Sequence, residues 1–322
     1  MDALAYGAIP PLDDPTHVPA AEIDPAGPEP LAVIEAGGRI RAYPLSILIW
    51  HEAVNDSIGD VPVLVSYSPL TDSVTAWVRS AGEQVFSFAA SGKVYAATGL
   101  LADRETGSLW LPPFGRAVAG SSKGLSLAGL PVAVVPASVY REAVPDGTVV
   151  SPETGFTRPY GRSPYAGYLS RAEPPRRLFL REPDARLIPK AHVLAVPGDP
   201  VYPFEAVRAA GSVNDGGVAV FWIERVASAL DREVIAGARD TGSAVAYLST
   251  LDGRRLTFDR MPGEPLRFRD AQTGTIWNAL GHGIEGPLRG RRLRPLAAVR
   301  SFWFAWAALD PPARVYGGGG EG

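Results

Sequence analysis

The stretch that decides the fold runs from residue 43 to residue 56 and reads Tyr-Pro-Leu-Ser-Ile-Leu-Ile-Trp-His-Glu-Ala-Val-Asn-Asp. Both of its ends recur at a constant offset of 159 residues: Tyr43-Pro44 returns as Tyr202-Pro203, and Val54-Asn55-Asp56 returns as Val213-Asn214-Asp215. Proline suits the start of a helix, where its missing N–H is not needed, so each copy predicts a short helix opened by the proline. The Asn-Asp pair that follows is typical of a turn.

Further matches follow in the same order and indicate an internal duplication. Under the same offset, residues 61–65 fall on residues 220–224. The later matching positions are Thr71, Ser73, Trp77 and Phe88 with Thr241, Ser243, Tyr247 and Phe258, and then Asp103, Thr106, Gly107 and Trp110 with Asp270, Thr273, Gly274 and Trp277. Colinear blocks with small insertions and deletions mark a repeat, and a repeat determines the whole architecture.

The duplication predicts a mainly β (α+β) protein built from two homologous β-rich repeats with short helices in a pseudo-twofold arrangement. The 31 prolines and 35 glycines are spread in short clusters, which favours many turns between short strands. Tight turns are expected at Gly37-Gly38 and Gly198-Asp199. The predicted division is an N-terminal extension (1–29), a first repeat (30–165), a connector (166–187), a second repeat (188–317) and a flexible tail (318–322).

Composition excludes several classes of function. The chain contains no cysteine, which excludes disulfides and thiol chemistry, and its net charge of -3 provides no basic surface for nucleic acid. No window approaches the roughly 18 apolar residues of a membrane span. Residues 1–11 lack an export-signal pattern, so a cytoplasmic protein is expected unless an earlier signal has been removed. A small-molecule ligand is therefore the expected partner, and the oligomeric state is open.

His51 is the histidine best placed for chemistry, among four in the chain. It lies at a predicted helix end beside Glu52, where a carboxylate or the helix dipole can tune the pKa of the imidazole. We therefore predict His51, Glu52 and Asp72 as catalytic residues, with His51 as general acid or base. The alternative is a structural histidine that caps the helix or makes fixed hydrogen bonds.

Residues 66–73 end a predicted strand in a dense set of hydroxyl groups that could line a polar pocket. The substrate-binding candidates here are Tyr67, Ser68 and Thr71. Hydroxyls without an adjacent base are weak nucleophiles, so an ordinary Ser/Thr turn is the alternative. Asp103, Arg104 and Trp110 are further substrate-binding candidates, and an exposed hairpin with a local ion pair explains the first two equally well.

Several segments carry a family resemblance. They are Arg41-Ala42-Tyr43-Pro44-Leu45, Trp50-His51-Glu52-Ala53-Val54-Asn55-Asp56, the Asp-x-x-Thr-Gly-Ser-x-Trp of residues 103–110, Asp240-Thr241-Gly242-Ser243-Ala244 and Phe302-Trp303-Phe304-Ala305-Trp306. With these motifs the chain resembles, over nearly its whole length, the bacterial and archaeal domain of unknown function 3179. Membership of that family implies no particular activity.

The chain departs from this family at one motif. Members typically carry Tyr-Cys-Pro-Leu-Cys-Gly-Ser where this chain has Tyr-Ser-Pro-Leu-Thr-Asp-Ser at residues 67–73, so Ser68 and Thr71 replace both cysteines. Two thiols at that spacing near a His-Glu pair would suggest metal or redox work. The resemblance therefore implies that this member has lost that activity or changed its chemistry.

Two classes of function follow from these residues. The preferred one is a small-molecule enzyme that uses non-redox acid–base chemistry in a polar pocket of the first repeat. The alternative is a noncatalytic ligand-binding or scaffold protein derived from a metal- or thiol-dependent ancestor. A metal site built from His51 and carboxylates would need at least three converging ligands, and the sequence shows no such spacing, so no metal ligand is predicted and the cofactor is left unknown.

Overall fold

A computed structural model of the protein describes residues 7–24, 28–171, 182, 184–196, 200–310 and 314–317. Within these residues the chain forms many short strands and four short helices, so the predicted mainly β (α+β) class is confirmed. The predicted turn at Gly198-Asp199 and the predicted tail at 318–322 lie outside the described residues.

The first part of the chain, up to residue 171, contains sixteen strands and two helices among the described residues. The strands are β1 (Leu12–Asp13), β2 (His17–Pro19), β3 (Pro30–Ala36), β4 (Arg39–Pro44), β5 (Ala53–Ile58), β6 (Val61–Ser68), β7 (Ser73–Val78), β8 (Ser80–Ala81), β9 (Gln84–Val85), β10 (Phe88–Tyr95), β11 (Thr98–Asp103), β12 (Leu109–Leu111), β13 (Arg116–Ala119), β14 (Ala128–Leu130), β15 (Val132–Pro136) and β16 (Thr148–Val150). The helices are α1 (Leu45–His51) and α2 (Ala137–Ala143).

The second part contains twelve strands and two helices among the described residues. The strands are β17 (His192–Ala195), β18 (Val201–Pro203), β19 (Ser212–Asp215), β20 (Val218–Ile223), β21 (Ser243–Leu248), β22 (Thr250–Leu251), β23 (Arg254–Arg255), β24 (Phe258–Met261), β25 (Glu264–Asp270), β26 (Ile276–Asn278), β27 (Gly283–Glu285) and β28 (Val299–Phe302). The helices are α3 (Phe204–Ala210) and α4 (Trp303–Leu309). In addition, 3₁₀ turns occur at Ala20–Glu22 and Pro112–Phe114 in the first part and at Ile235–Gly237 in the second.

The sheets of the two parts follow one plan. The first part has sheets in the order β15-β3-β4-β16-β2, β1-β5-β6-β7-β14 and β10-β11-β12-β13, and the second part has β18-β17-β28, β19-β20-β21 and β24-β25-β26-β27. In both parts a proline at the N-cap, Pro44 or Pro203, precedes the first helix, as predicted. The duplication and the pseudo-twofold arrangement remain predictions, which this common plan supports.

The predicted turn at Asn55-Asp56 is wrong, because both residues lie inside β5. The chain turns instead at Gly59, whose φ of 60° suits glycine. In the second part the matching hairpin is four residues shorter, since Val54 pairs with Val65 whereas Val213 pairs with Val220. Val220 therefore takes the place of Val65, and the constant offset does not hold for this strand.

One buried core cluster contains side chains from both parts, including Ile34 and Val65 from the first and Phe221, Trp277 and Phe302 from the second. Residues 302–306 are at most 2% exposed, so the aromatic segment packs in the interior. Among the described residues, no helix is long and apolar enough to cross a membrane.

Candidate functional site

The motif turn, residues 68–73, joins β6 to β7 and presents the one buried carboxylate of this segment. The turn is closed by the Thr71 N–H, which donates to the Ser68 carbonyl at 3.2 Å, and Asp72 adopts a left-handed φ of 49°. Thr71 and Ser73 share a hydrogen bond of 2.5 Å between their hydroxyls. The Asp72 side chain is thereby directed into the interior, where it is 2% exposed.

Asp72 accepts three hydrogen bonds from three different strands. The Tyr67 hydroxyl donates to Oδ1 at 2.8 Å, and His192 Nε2 and Arg300 Nη2 each lie 2.7 Å from Oδ2. Burial alone would raise the pKa of Asp72, but the Arg300 guanidinium and the His192 hydrogen bond hold it well below its usual range. Asp72 is therefore an ionised carboxylate in a desolvated position. Its burial and its charge raise the pKa of Tyr67 far above the ordinary value.

His192 is the partner of Asp72 whose geometry suits chemistry. Its Nε2 donates to Asp72, and its ring packs 4.7 Å from the Phe302 ring and 5.5 Å from the Phe204 ring, measured between centroids. Among the described residues nothing hydrogen-bonds Nδ1, and the side chain is 9% exposed. Burial lowers the pKa of His192 despite the Asp72 hydrogen bond. The ring is therefore a neutral imidazole at pH 7, with its lone pair on Nδ1.

Arg300 joins the motif turn to the corresponding turn of the second part. One guanidinium nitrogen reaches Asp72, a second donates to the Gly242 carbonyl at 3.0 Å, and the Thr241 hydroxyl lies 3.4 Å away. Thr241 and Gly242 match Thr71 and Asp72 in the aligned repeats. Arg300 is 5% exposed, so its charge is compensated almost entirely inside the protein. We call Tyr67, Asp72, His192 and Arg300 the Asp72 cluster.

The predicted base, His51, lies apart from the Asp72 cluster. It is fully buried, its Nδ1 is 2.9 Å from the Pro10 carbonyl, and its Nε2 is 2.7 Å from the Tyr160 hydroxyl. Since a carbonyl only accepts, Nδ1 carries the proton and Nε2 accepts from Tyr160. Burial lowers the pKa of His51, which favours this neutral form. Both ring nitrogens are thus engaged in fixed hydrogen bonds.

Glu52 lies beside the motif turn, but in the described part of the chain its side chain makes no hydrogen bond to His51 or Asp72. It caps α1 with a φ of 56°, and its carbonyl accepts from the Tyr67 N–H at 3.0 Å. Its carboxylate has one hydrogen bond, from the Tyr165 hydroxyl at 3.4 Å. Burial raises the pKa of Glu52 to about 7. Glu52 can therefore exchange a proton near neutral pH.

The other predicted substrate-binding residues divide into two groups. Tyr67, Ser68 and Thr71 lie together in the motif turn and at its start. Asp103 is fully buried in a separate hairpin, where it accepts from the Thr106 N–H at 2.6 Å and from Trp110 Nε1 at 2.7 Å. Arg104 forms an exposed ion pair with Asp13. The structure does not bring this second group to the Asp72 cluster.

Sequence reasoning missed His192 and Arg300. Nothing in the residues around His192 forms a motif. Arg300 could have been noticed, because it comes just before the strongly apolar segment 302–306. A charge that is buried with such a segment needs a partner of opposite charge. Asp72 could have been noticed as well, because it stands where typical relatives have glycine.

Two cavities open near the second part of the chain. One has a volume of 320 Å³ and includes Thr241 and Gly242, the residues that Arg300 contacts. The other, of 290 Å³, lies between the two parts, with Val33 and Ile40 on one side and Val245 and Leu296 on the other. Neither of these two cavities is lined by a predicted site residue. Over the described residues, no group of three or more histidines and acids is arranged to hold a metal ion.

Comparison with known proteins gives a family and no closer relative. A family profile described as "Protein of unknown function (DUF3179)" matches residues 6–313. No curated protein and no solved structure matches the chain. Since the profile covers nearly the whole chain, as the motifs led us to expect, the protein belongs to the DUF3179 family.

Proposed function

We propose that this protein is a small-molecule enzyme that uses non-redox acid–base chemistry, with His192 as the general base and Asp72 as the residue that positions it. The observation that carries the proposal is that His192 Nε2 donates to a buried, ionised carboxylate, while Nδ1 has no hydrogen-bond partner in the described part of the chain. A carboxylate fixes the tautomer and orientation of a catalytic imidazole in this way and stabilises the imidazolium that forms.

The charges around His192 favour its use as a base. Because Arg300 keeps Asp72 ionised, the carboxylate does not take the proton itself. Burial lowers the pKa of His192, so the unprotonated form is available at neutral pH. We therefore transfer the role predicted for His51 to His192 and keep Asp72 in the site.

The acid of the same reaction is proposed to be Glu52. Its pKa of about 7 makes it protonated in a substantial fraction of molecules at neutral pH. The carbonyl of Glu52 accepts a hydrogen bond from the Tyr67 N–H, so Glu52 is next to the motif turn. The motif turn itself, with Ser68 and Thr71 in place of the family cysteines, supplies hydroxyls for substrate binding and no thiol for redox chemistry.

The test is a comparison of two histidine variants on a metabolite mixture. We expect the wild-type protein to consume at least one metabolite, followed by mass spectrometry, and His192→Gln to lose this activity by at least about 100-fold. Glutamine keeps a donor for Asp72 and removes the base. His51→Gln serves as the matched control and is expected to retain the activity. A His192→Gln protein that is as active as wild type contradicts the assignment.

The alternative is a noncatalytic ligand-binding or scaffold protein in which the Asp72 cluster clamps the two repeats. It is favoured by one observation: Tyr67 and Asp72 belong to the first part, whereas His192 and Arg300 belong to the second. Under this alternative no metabolite is consumed by the wild-type protein, and His192→Gln changes only the stability.

We also propose that the two parts are copies of one unit. The proposal is supported by matching contacts: Asn55 and Asn214 each bind both backbone groups of the matching phenylalanines, Phe88 and Phe258. Likewise, Asp103 and Asp270 each accept from the indole N–H seven residues later.

A further inference from the structure

The 320 Å³ cavity is a polar site at the second copy of the motif turn. It is lined by Arg208, Trp222, Glu224, Asp240, Thr241, Gly242 and Arg260. In the strand registers, Trp222 takes the place of Tyr67, since Val74 pairs with Tyr67 and Ala244 with Trp222. Gly242 takes the place of Asp72. The cavity therefore lies at the turn that matches the motif turn, and its wall includes the residues that take the places of Tyr67, Thr71 and Asp72.

Glycine at position 242 is what lets the Trp222 ring fill the space that the Asp72 side chain takes in the first part. Gly242 has a φ of 64°, and a Cβ there would lie 2.0 Å from the Trp222 ring. The Trp222 ring thus packs directly against the turn and forms a wall of the cavity. Trp222 is 4% exposed, and its indole N–H donates to no residue that the structure describes.

Two guanidinium groups line the same cavity, and neither forms a close ion pair in the described part of the chain. Arg208, in the last turn of α3, is exposed and forms no ion pair with the described residues. Arg260 lies 3.9 Å from Glu224, at the limit of an ion pair, and both side chains are about one-third exposed, so the pair is weak. Gly211 makes room for Arg260, because a Cβ there would lie 2.8 Å from Arg260 Nε.

The carboxylate of Asp240 also lines the cavity, where it is held by its own loop. Its two oxygens accept from the N–H groups of Arg225, Val226 and Gly242 at 2.8 to 2.9 Å, so it is committed to its own loop. The donors left for a ligand are the two guanidinium groups, the indole N–H of Trp222 and the hydroxyl of Thr241. This set is rich in donors, and the same wall carries two acids, Asp240 and Glu224.

We infer that this cavity binds a small molecule through an oxyanion, a carboxylate or a phosphate, held between Arg208 and Arg260. Guanidinium groups bind both oxyanions with paired hydrogen bonds, and Trp222 and Thr241 complete the set of donors. The site goes beyond the proposed acid–base chemistry and does not depend on it.

Calorimetric titration with two probes, inorganic phosphate and succinate, tests the site and distinguishes the two oxyanions. We expect saturable binding of at least one probe at concentrations up to about 10 mM, weaker at high salt. Arg208→Ala and Arg260→Ala are each expected to weaken binding tenfold or more. Glu224→Gln is expected to strengthen it, because it removes the acid that competes for Arg260.

Arg254→Ala is the matched control, since Arg254 is an exposed arginine of the same part of the chain that does not line the cavity. It should bind the probe as the wild type does. Arg208 is exposed, so its truncation removes no buried contact, and unchanged thermal unfolding verifies the fold of each variant. The inference is overturned if neither probe binds saturably, or if Arg208→Ala and Arg254→Ala bind equally well.

Discussion

Asp72 joins the two parts of the chain through its buried carboxylate. Its carboxylate is 2% exposed and is shared by Tyr67, His192 and Arg300. Removing one member of a buried ion pair leaves the other charge uncompensated, which costs far more than the net contribution of the pair. Asp72 therefore stabilises the fold and positions His192 at the same time.

We predict that Asp72→Asn lowers the free energy of unfolding by about 3–5 kcal/mol at pH 7, because Arg300 loses its counter-charge in the interior. Urea denaturation measures the change. The control is Glu233→Gln, which removes an ion pair with Arg162 whose side chains are more than half exposed, and which should change the stability by less than about 1 kcal/mol. Equal effects of the two variants would refute the structural role of Asp72.

Glu52 gives a prediction with a definite sign in pH. Its pKa is about 7 in the folded protein and 4.5 in the unfolded chain, so the folded state holds the extra proton between these values. The contribution of Glu52 is therefore full below pH 4.5, and the free energy of unfolding falls as the pH rises to about 7, by at most about 3 kcal/mol.

Glu52→Gln should remove this fall, which stability curves at a series of pH values would reveal as a flatter profile. Glu83→Gln is the control, since Glu83 is exposed and should leave the profile unchanged. A Glu52→Gln profile that keeps the wild-type slope would show that the carboxyl does not titrate near neutral pH in the folded protein.

At the scale of single residues, sequence reasoning found the acidic half of the site and missed the basic half. Glu52, Tyr67 and Asp72 were accessible because they lie within or beside one local motif. His192 and Arg300 reach Asp72 across 120 and 228 residues of chain. Contacts between residues so far apart in the sequence depend on how the sheets pack, and no local sequence pattern predicts them.

At the scale of the elements, one asparagine in each part fastens a hairpin to the strand that follows. The side chain of Asn55 donates to the Phe88 carbonyl and accepts from the Phe88 N–H, at 2.9 and 2.8 Å, and Asn214 does the same with Phe258 at the same distances. An amide side chain can imitate a strand in this way because it carries one donor and one acceptor group side by side.

We predict that Asn55→Ala lowers the free energy of unfolding by about 2–3 kcal/mol, since it leaves a buried backbone N–H and carbonyl unpaired. Asn214→Ala should cost less, because Asn214 is exposed and water can replace its hydrogen bonds. Chemical denaturation measures both, with Gln84→Ala as an exposed control. A loss for Asn214→Ala as large as that for Asn55→Ala would contradict the part that burial plays.

The elements show clearly what a repeated pattern can predict. The helices after Pro44 and Pro203 lie where proline places them, and the repeated Thr-Gly pairs mark the chain reversals after Asp103 and Asp270. The prediction of a turn at the Asn-Asp pair was wrong. Asparagine and aspartate favour turns in general, but here tertiary hydrogen bonds hold them in strands. The asparagines at positions 55 and 214 make the same hydrogen bonds, which accounts for the same residue at both positions.

At the scale of the whole molecule, the two parts share one interior. The principal core cluster draws on both, and backbone hydrogen bonds cross between them, from the Phe302 N–H to the Thr71 carbonyl at 2.7 Å and from the Ser163 N–H to the Glu233 carbonyl at 2.7 Å. Each part therefore leaves apolar surface uncovered when the other is absent.

We predict that the full chain unfolds in one cooperative transition and that a fragment ending at residue 171 does not. Loss of the second part exposes the apolar side chains that face it and leaves Asp72 without His192 and Arg300, and both changes oppose folding of the fragment.

Urea titrations followed by tryptophan fluorescence and by far-ultraviolet circular dichroism measure both proteins. Coincident curves are expected for the full chain, and a broad curve without a sharp midpoint for the fragment. Two separated transitions in the full chain, or a fragment as stable as the whole, would mean that the parts are independent domains and that the Asp72 cluster only links them.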